Sequence, residues 1–224
     1  MFIPQIRKQD AVFKDRHDGG RQLGKKLLAY KKDNPVILAL PRGGVEVGHE
    51  VAKQLKANLE VLVVRKLGSP NNPEFAIGAI AENNTVFLDE DTIKALGISS
   101  KTLKMLIGAE NEELNRRVKI YRKDKKIIPL KNKVVIIVDD GLATGATAIA
   151  AIKYVTIQKP KGIVFAVPVC AYDSLKKLQF YVSKIVSIIS PPQLTSISEY
   201  YESFPQTSDE DVIKLLNKKI DVDK

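Results

Sequence analysis

Short uncharged apolar runs, separated by segments of helical period, dominate the chain. Val36 to Leu40, Val61 to Val64, Val134 to Val138 and Ile163 to Val167 are the clearest, with a weaker run at Ile185 to Ile189. Runs of this length without polar alternation predict strands covered on both faces. Between them the period changes. Leu23, Leu27 and Tyr30 share one helical face, and Val45, Val51, Ala52 and Leu55 form a broader stripe. Ala148, Ala151, Ile152 and Val155 predict a helix from about Gly145 to Ile157. Ala171 to Tyr181 predicts another crossover helix, and Asp209 to Lys218 a terminal one with Asp209 as its cap. Strands alternating with helices predict an α/β fold with an open, mostly parallel sheet flanked by helices.

The middle of the chain breaks this rhythm. Phe75 to Leu88 reads as two extended pieces interrupted by AENN, which predicts a hairpin. Leu103, Ile107, Glu110, Leu114, Val118 and Tyr121 then step by three and four, predicting a long helix. Its glutamates, Glu110, Glu112 and Glu113, precede Arg116, Arg117 and Lys119, the order that favours i, i+4 pairing and the helix dipole. With 224 residues and no linker or repeat, the expected organisation is one domain over 1–224, with an insertion at about 75–125.

Composition narrows the function classes. The lone Cys170 excludes an intrachain disulfide, and its apolar surroundings, GIVFAVPVCAY, predict an inert buried thiol. No run approaches the eighteen or so apolar residues that span a bilayer, and MFIPQIRKQD lacks the apolar core of a signal peptide, so no membrane partner and a cytoplasmic location are expected. Thirty-six Lys and Arg against 26 Asp and Glu give a net charge of +10. Such a field attracts nucleic acid or small phosphorylated molecules alike, although solvated lysines on helix surfaces account for much of it.

The strongest local signal is VVIIVDDGLATGATAIAAI, from Val134 to Ile152. A buried strand ends in Asp139 and Asp140, a small-residue loop from Gly141 to Gly145 turns the chain, and an Ala-rich helix follows. Amides at such a loop and helix start can surround a phosphate, with Thr144 and Thr147 adding hydroxyls. The loop lacks the lysine of a nucleotide-triphosphatase loop and the glycine spacing of a dinucleotide fingerprint. Two carboxylates beside a phosphate require something neutral or cationic to address. Vicinal ribose hydroxyls meet that requirement, and magnesium is the other partner. A capped turn with an acidic rim is the plainer alternative.

Val135 to Thr147 resembles the phosphoribosyl-pyrophosphate binding motif of the type I phosphoribosyltransferases. The resemblance implies that Asp139 and Asp140 bind the ribose 2- and 3-hydroxyls and that Ala143, Thr144, Gly145, Ala146 and Thr147, following Gly141, hold the 5-phosphate. It also implies a magnesium-dependent reaction in which Asp139 and Asp140 touch the metal mainly through substrate or water. VILALPRGGVEVGHEVA repeats the strand–loop–helix geometry; Pro41, Arg42, Gly43 and Gly44 make a tight loop open to an anion. The resemblance assigns this loop to the diphosphate and implies a strained or cis peptide within it, at a position the sequence leaves open.

VLVVRKLGSPNNPEFAIGAI follows. Arg65 and Lys66 are expected to end a strand beside the ligand and neutralise the departing diphosphate, and SPNNP to form a lid. Glu74 and Glu82 are ionisable neighbours that touch metal or base, or lie solvated. His17, beginning a helix, and His49, inside one, are poor catalytic candidates. FKDRHDGGRQLGKKL, LPRGGVEV, VDDGLATGAT and YYESFPQTSDEDV extend the resemblance over most of the chain, to a bacterial group of phosphoribosyltransferase-domain proteins. Residues 1–20 and 190–208 are then expected to form a hood, with Tyr200, Tyr201 and Phe204 stacking on a base or packing the core.

Three activities remain open on these residues: phosphoribosyl transfer to a nucleobase-like acceptor, sensing of phosphoribosyl pyrophosphate by a nucleic-acid-binding regulator, and hydrolysis of a phosphorylated sugar. The resemblance further implies a homodimer. No residue stands out as the base that takes the acceptor's proton.

Overall fold

The computed structural model describes residues 12–123 and 128–222. Five parallel strands form the main sheet, in the spatial order β2 (Asn58–Val61), β1 (Val36–Ala39), β6 (Val134–Val138), β7 (Gly162–Val169) and β8 (Lys184–Ile189). A second, antiparallel sheet joins β3 (Val64–Ser69), β4 (Asn72–Ala81) and β5 (Thr85–Leu88). The α-helices are α1 (Arg16–Leu27), α2 (Gly43–Leu55), α3 (Glu90–Ala95), α4 (Ser100–Arg122), α5 (Ala146–Ile157), α6 (Tyr172–Leu178) and α7 (Asp209–Asn217).

The central strands lack alternation because both faces are covered. Val36, Leu38, Val135, Ile137 and Phe165 pack against Ala148, Ala151, Ile152 and Val155 of α5. Their neighbours Ile37, Ile136, Val138, Val164 and Ala166 turn to Leu23 and Leu27 of α1 and Val47, Val51 and Leu55 of α2. Each such side chain contributes roughly 1.5–3 kcal/mol by leaving water, which makes this three-layer stack the rigid base of the molecule. A third cluster packs the second sheet, through Leu67, Ile77 and Ile80, against Leu114 and Tyr121 of α4 and Val212 and Leu215 of α7.

The hairpin over Phe75 to Leu88 is present, with Asn83 and Asn84 at its turn in the left-handed region (φ 54° and 55°). Several boundaries differ from expectation. The run Val61 to Val64 is not one strand: it joins the end of β2 to the start of β3. β2 lies at the sheet edge, where half-buried Asn58 and Glu60 are tolerated and disguise the strand. Helix α7 is capped by Ser208, reciprocally with Asp211, rather than by Asp209. Asp209 instead accepts from the Tyr121 hydroxyl at 2.5 Å and from Arg116 at 3.3 Å. α3, capped by Asp89, was hidden in a stretch without apolar periodicity. SPNNP is the tight turn of the β3–β4 hairpin, closed by bonds between Ser69 Oγ and the Asn72 main chain at 3.0 and 3.2 Å, not an open loop. The expected insertion corresponds to β4 through α4; its last two residues, 124 and 125, lie outside the described residues, as do 1–11 of the expected hood.

Candidate functional site

Strand β1 leads outward to β2, whereas β6 leads through β7 to β8 on the other side. The direction of winding therefore reverses between β1 and β6, which pair directly in parallel, Ala39 opposite Val138. At such a reversal the loops leaving the two carboxyl ends diverge and open a crevice. Leu40 N–H still donates to Val138 O at 2.8 Å, so the loops Pro41–Gly44 and Asp139–Gly145 emerge side by side.

They approach until no side chain fits between them. A Cβ on Gly43 would fall on the Asp140 carboxylate, 2.8 Å from its Cγ, and 2.6 Å from Arg16 Nε. One on Gly44 would lie 2.9 Å from Asp139 Cα. Glycine is required at both positions by contact rather than by backbone conformation. The Pro41–Arg42 peptide is cis, so the irregular peptide falls within this loop. Arg42, a half-buried residue, opens α2 without a side-chain cap bond.

The acidic pair is held from several sides. Asp139 Oδ1 accepts from Asp140 N–H at 2.9 Å. Burial of its carboxyl, with the adjacent Asp140 charge second, raises the Asp139 pKa, while Arg16 opposes that rise. Asp140 Oδ2 accepts from Arg16 Nε at 2.7 Å, and its main-chain oxygen accepts from the Tyr201 hydroxyl at 2.6 Å. Arg16 also donates to Pro205 O at 2.7 Å and lies 3.6 Å over the Phe204 ring. Glu46 stands 3.8 Å from Arg16 and accepts from Thr207. Phe13 packs on Tyr201, and residues 13–14 accept main-chain bonds from 202–203. Tyr201 and Phe204 thus serve packing and the support of Asp140, and Tyr200 is buried beside them.

The small-residue loop divides in two. Leu142 is stitched to the end of β7 through Val169 O and Ala171 N–H, and Ile197 covers Gly141. Beyond it Ala143 and Thr144 are exposed, Ala143 O accepting from the Ser174 hydroxyl. Gly145, at φ 88°, turns the chain into α5 without contributing a side-chain cap. The first amides of α5, including those of Ala146 and Thr147, have no intrahelical acceptor, which leaves donors and a positive helix end at this spot.

Other expected residues lie elsewhere. Arg65 does not end a strand at the crevice: it is the second residue of β3, and its guanidinium donates to Glu110 of α4 at 2.7 Å. Lys66, one position on, faces the opposite side of β3, the side of Val64, which packs with the α5 cluster. Glu82 is buried as a structural clamp, accepting from Val63 N–H at 2.9 Å and from both ends of the Arg122 guanidinium fork. Glu74 falls in β4. His17 sits 3.2 Å from Glu50, and His49 is buried with its pKa lowered chiefly by desolvation. Cys170 is fully buried and its thiol is pushed up to about 11 by desolvation.

For a divalent ion the chain offers no cage: among the described residues no group of three or more His, Cys, Asp or Glu converges. One oxygen of Asp140 is already taken by Arg16. This donor set fits magnesium in its usual mode, with one or two carboxylates and the remaining ligands from substrate and water. Arg16 and Glu46 were not legible as partners of the acidic pair, and Tyr201, expected to stack on a base or pack the core, packs on Phe13 and supports Asp140. Nothing in the spacing of FKDRHDGG signals a contact with a residue 124 positions away.

A crevice at the winding reversal of an open parallel sheet defines a doubly wound type of α/β protein, and comparison with known proteins defines the family. The model of the phosphoribosyl transferase domain matches residues 13–202, and the chain belongs to that family. A protein of Mycobacterium tuberculosis named "Putative phosphoribosyl transferase" is 39% identical over 207 residues, 92% of this chain. The chain spans about half, 47%, of that relative's length. The crystal structure of TT1426 from Thermus thermophilus is 35% identical, covers 91% of this chain and 97% of its own, and superposes with a TM-score of 0.77. AQ2163 of Aquifex aeolicus, 13% identical over 87% of this chain and 92% of its own with a TM-score of 0.54, shares the fold. Among the described residues no helix is long and apolar enough to cross a membrane.

Proposed function

We propose that the protein transfers the 5-phosphoribosyl group from phosphoribosyl pyrophosphate to a nucleobase-like nitrogen acceptor, releasing pyrophosphate. The observation that carries this reading is the interlocking of the two loops: Gly43 and Gly44 touch Asp140 and Asp139, so an anion on the first loop and a diol at the acidic pair fall within one small ligand. The 5-phosphate is held by the Ala143–Thr147 amides with Thr144 and Thr147, a remote anchor that converts binding energy into alignment at the anomeric carbon. Pro41, Arg42 and the Gly43–Gly44 main chain take the diphosphate.

The acceptor nitrogen forms its bond to the anomeric carbon as the bond to the diphosphate oxygen breaks and the electron pair leaves with pyrophosphate. Positive charge grows on the ribose ring, where the Asp139–Asp140 pair favours it, and negative charge grows on the leaving group, beside Arg42. Arg65, held by Glu110, does not take that second role. Magnesium would be held mainly by the substrate and water, with Asp139 and Asp140 reaching it through them, and would supply charge neutralisation for the diphosphate. No residue among those described stands out as the base for the acceptor's proton, which passes to solvent or to the acceptor's own tautomeric system.

The nucleic-acid reading rests on the +10 charge. A cleft of about 1110 Å³ opposes it, because Lys176 and Lys177 share its lining with Asp89, Glu90 and Asp91 rather than forming a basic strip. Pyrophosphate release from phosphoribosyl pyrophosphate across a purine and pyrimidine panel tests transfer. Release that depends on an acceptor supports it, release without an acceptor indicates hydrolysis, and none despite donor binding sinks both. Cytoplasmic location and a homodimer belong to the same proposal, the latter checked by sedimentation.

A further inference from the structure

Arg16 is only 5% exposed, and a guanidinium so placed must have its charge and its donors satisfied. Its partners come from three separate parts of the chain. Nε donates to Asp140 Oδ2 in the loop after β6 at 2.7 Å, a terminal nitrogen donates to Pro205 O at 2.7 Å and stands 3.8 Å from Glu46 on α2, and the plane covers the Phe204 ring. The Tyr201 hydroxyl fixes the Asp140 main chain as well.

These contacts leave a specific remainder. Asp140 has given Oδ2 to Arg16, and Asp139 has given Oδ1 to the Asp140 amide. Among the described residues the remaining carboxyl oxygens of Asp139 and Asp140 meet only each other, the two side chains standing within hydrogen-bonding reach. The acidic pair thus keeps one oxygen on each carboxyl that no other residue occupies, and two vicinal hydroxyl donors inserted there would replace a repulsive carboxylate–carboxylate contact. Without Arg16 the terminal torsion of Asp140 would be soft and either oxygen could face the crevice.

We propose that Arg16 is a positioning residue that fixes Asp140 for the ribose diol and thereby sets discrimination between ribose and 2-deoxyribose phosphates. The inference rests on the reading of the acidic pair given above. Lysine keeps the charge but lacks the planar fork that reaches Asp140 and Pro205 together while stacking on Phe204.

The test is calorimetric or NMR titration of ribose 5-phosphate and 2-deoxyribose 5-phosphate into the wild-type protein, Arg16→Ala, Arg16→Lys, Asp140→Asn and the Arg16→Ala/Asp140→Asn double variant. Wild type should prefer ribose by about 10- to 100-fold, the worth of a hydrogen bond to a charged group. Arg16→Ala should cut that preference to within about threefold, with Arg16→Lys intermediate, while affinity for the 2-deoxy sugar, held by the shared phosphate, changes little. The double variant should lose no more selectivity than Asp140→Asn alone, as expected of residues acting as one unit. Equal weakening of both sugars in Arg16→Ala would mean a structural role only and overturn the inference, as would a wild-type preference retained in that variant. Should Arg16→Ala fail to fold, Arg16→Lys decides by the same ratio. Absence of any ribose preference in wild type overturns the diol reading and this inference with it; a wild-type preference that survives in the Arg16 variants overturns only the inference.

Discussion

Adding one methyl group at Gly43 probes the contact between the two loops without removing any polar group. The new carbon would lie 2.6 Å from Arg16 Nε and 2.8 Å from Asp140 Cγ, besides falling on the Asp140 carboxylate itself. Ordinary contact needs about 3.5 Å, so Arg16 Nε and Asp140 Cγ must retreat by about 0.7–0.9 Å and the Asp140 carboxylate oxygen by more. The Arg16–Asp140 bond, now 2.7 Å, then lengthens past hydrogen-bonding distance. A hydrogen bond to a charged group is worth about 1.5–3 kcal/mol, so Gly43→Ala should cost about 2 kcal/mol of stability. For a chain of this size that lowers Tm by about 4–8 °C. Affinity for ribose 5-phosphate should fall about tenfold or more, each factor of ten being about 1.4 kcal/mol. Gly108, within α4, is the control: a Cβ there meets nothing within 4 Å, and Gly108→Ala should stabilise by about 0.5–1 kcal/mol with unchanged affinity. Thermal unfolding and titration calorimetry measure both. A Gly43→Ala protein with wild-type Tm and wild-type ribose 5-phosphate affinity would refute the close approach of the loops.

Asp139→Asn removes a carboxyl whose folded-state pKa is raised by burial and by Asp140. A raised acid means that the folded state binds more protons, so its cost to stability appears as pH climbs past the unfolded value of about 3.9 and is complete above the folded pKa. In chelator, Asp139→Asn should therefore gain on wild type in urea unfolding as pH rises through that window while losing ribose affinity; a gap that shrinks with rising pH contradicts the sign. Glu82→Ala strips a buried partner from Arg122 and should cost about 3–5 kcal/mol in the same assay, whereas a loss under about 1 kcal/mol would deny the clamp. Cys170, fully buried with its thiol raised to about 11, should resist a thiol reagent at about pH 8 until the protein unfolds; stoichiometric labelling of the native protein would contradict that.

The parts of the fold that were legible in the sequence are those where one local rule dominates. β6 matches the Val134–Val138 run because a central strand buried on both faces needs every residue apolar. The Asn83–Asn84 turn and the long helix α4 follow from turn chemistry and periodicity in the same way. β2 was displaced by three residues because an edge strand accepts polar positions, and Arg65 was misplaced with it. The two loops of the site were visible as strand ends followed by glycines, but their contact depends on the β1–β6 pairing, which no local pattern states. Arg16 was illegible for the same reason: its role is created by the approach of segments far apart in the chain, and one arginine after an N-cap looks like any surface residue.

A crystal structure of the protein with phosphoribosyl pyrophosphate and magnesium bears most directly on the proposed site. The ribose 2- and 3-hydroxyls should lie within hydrogen-bonding distance of Asp139 and Asp140, the 5-phosphate against the Ala143–Thr147 amides, and the diphosphate beside Arg42 and Gly43–Gly44. A sugar phosphate bound with its phosphate away from the Ala143–Thr147 amides, or with its hydroxyls turned from the acidic pair, would contradict the assignment of this crevice.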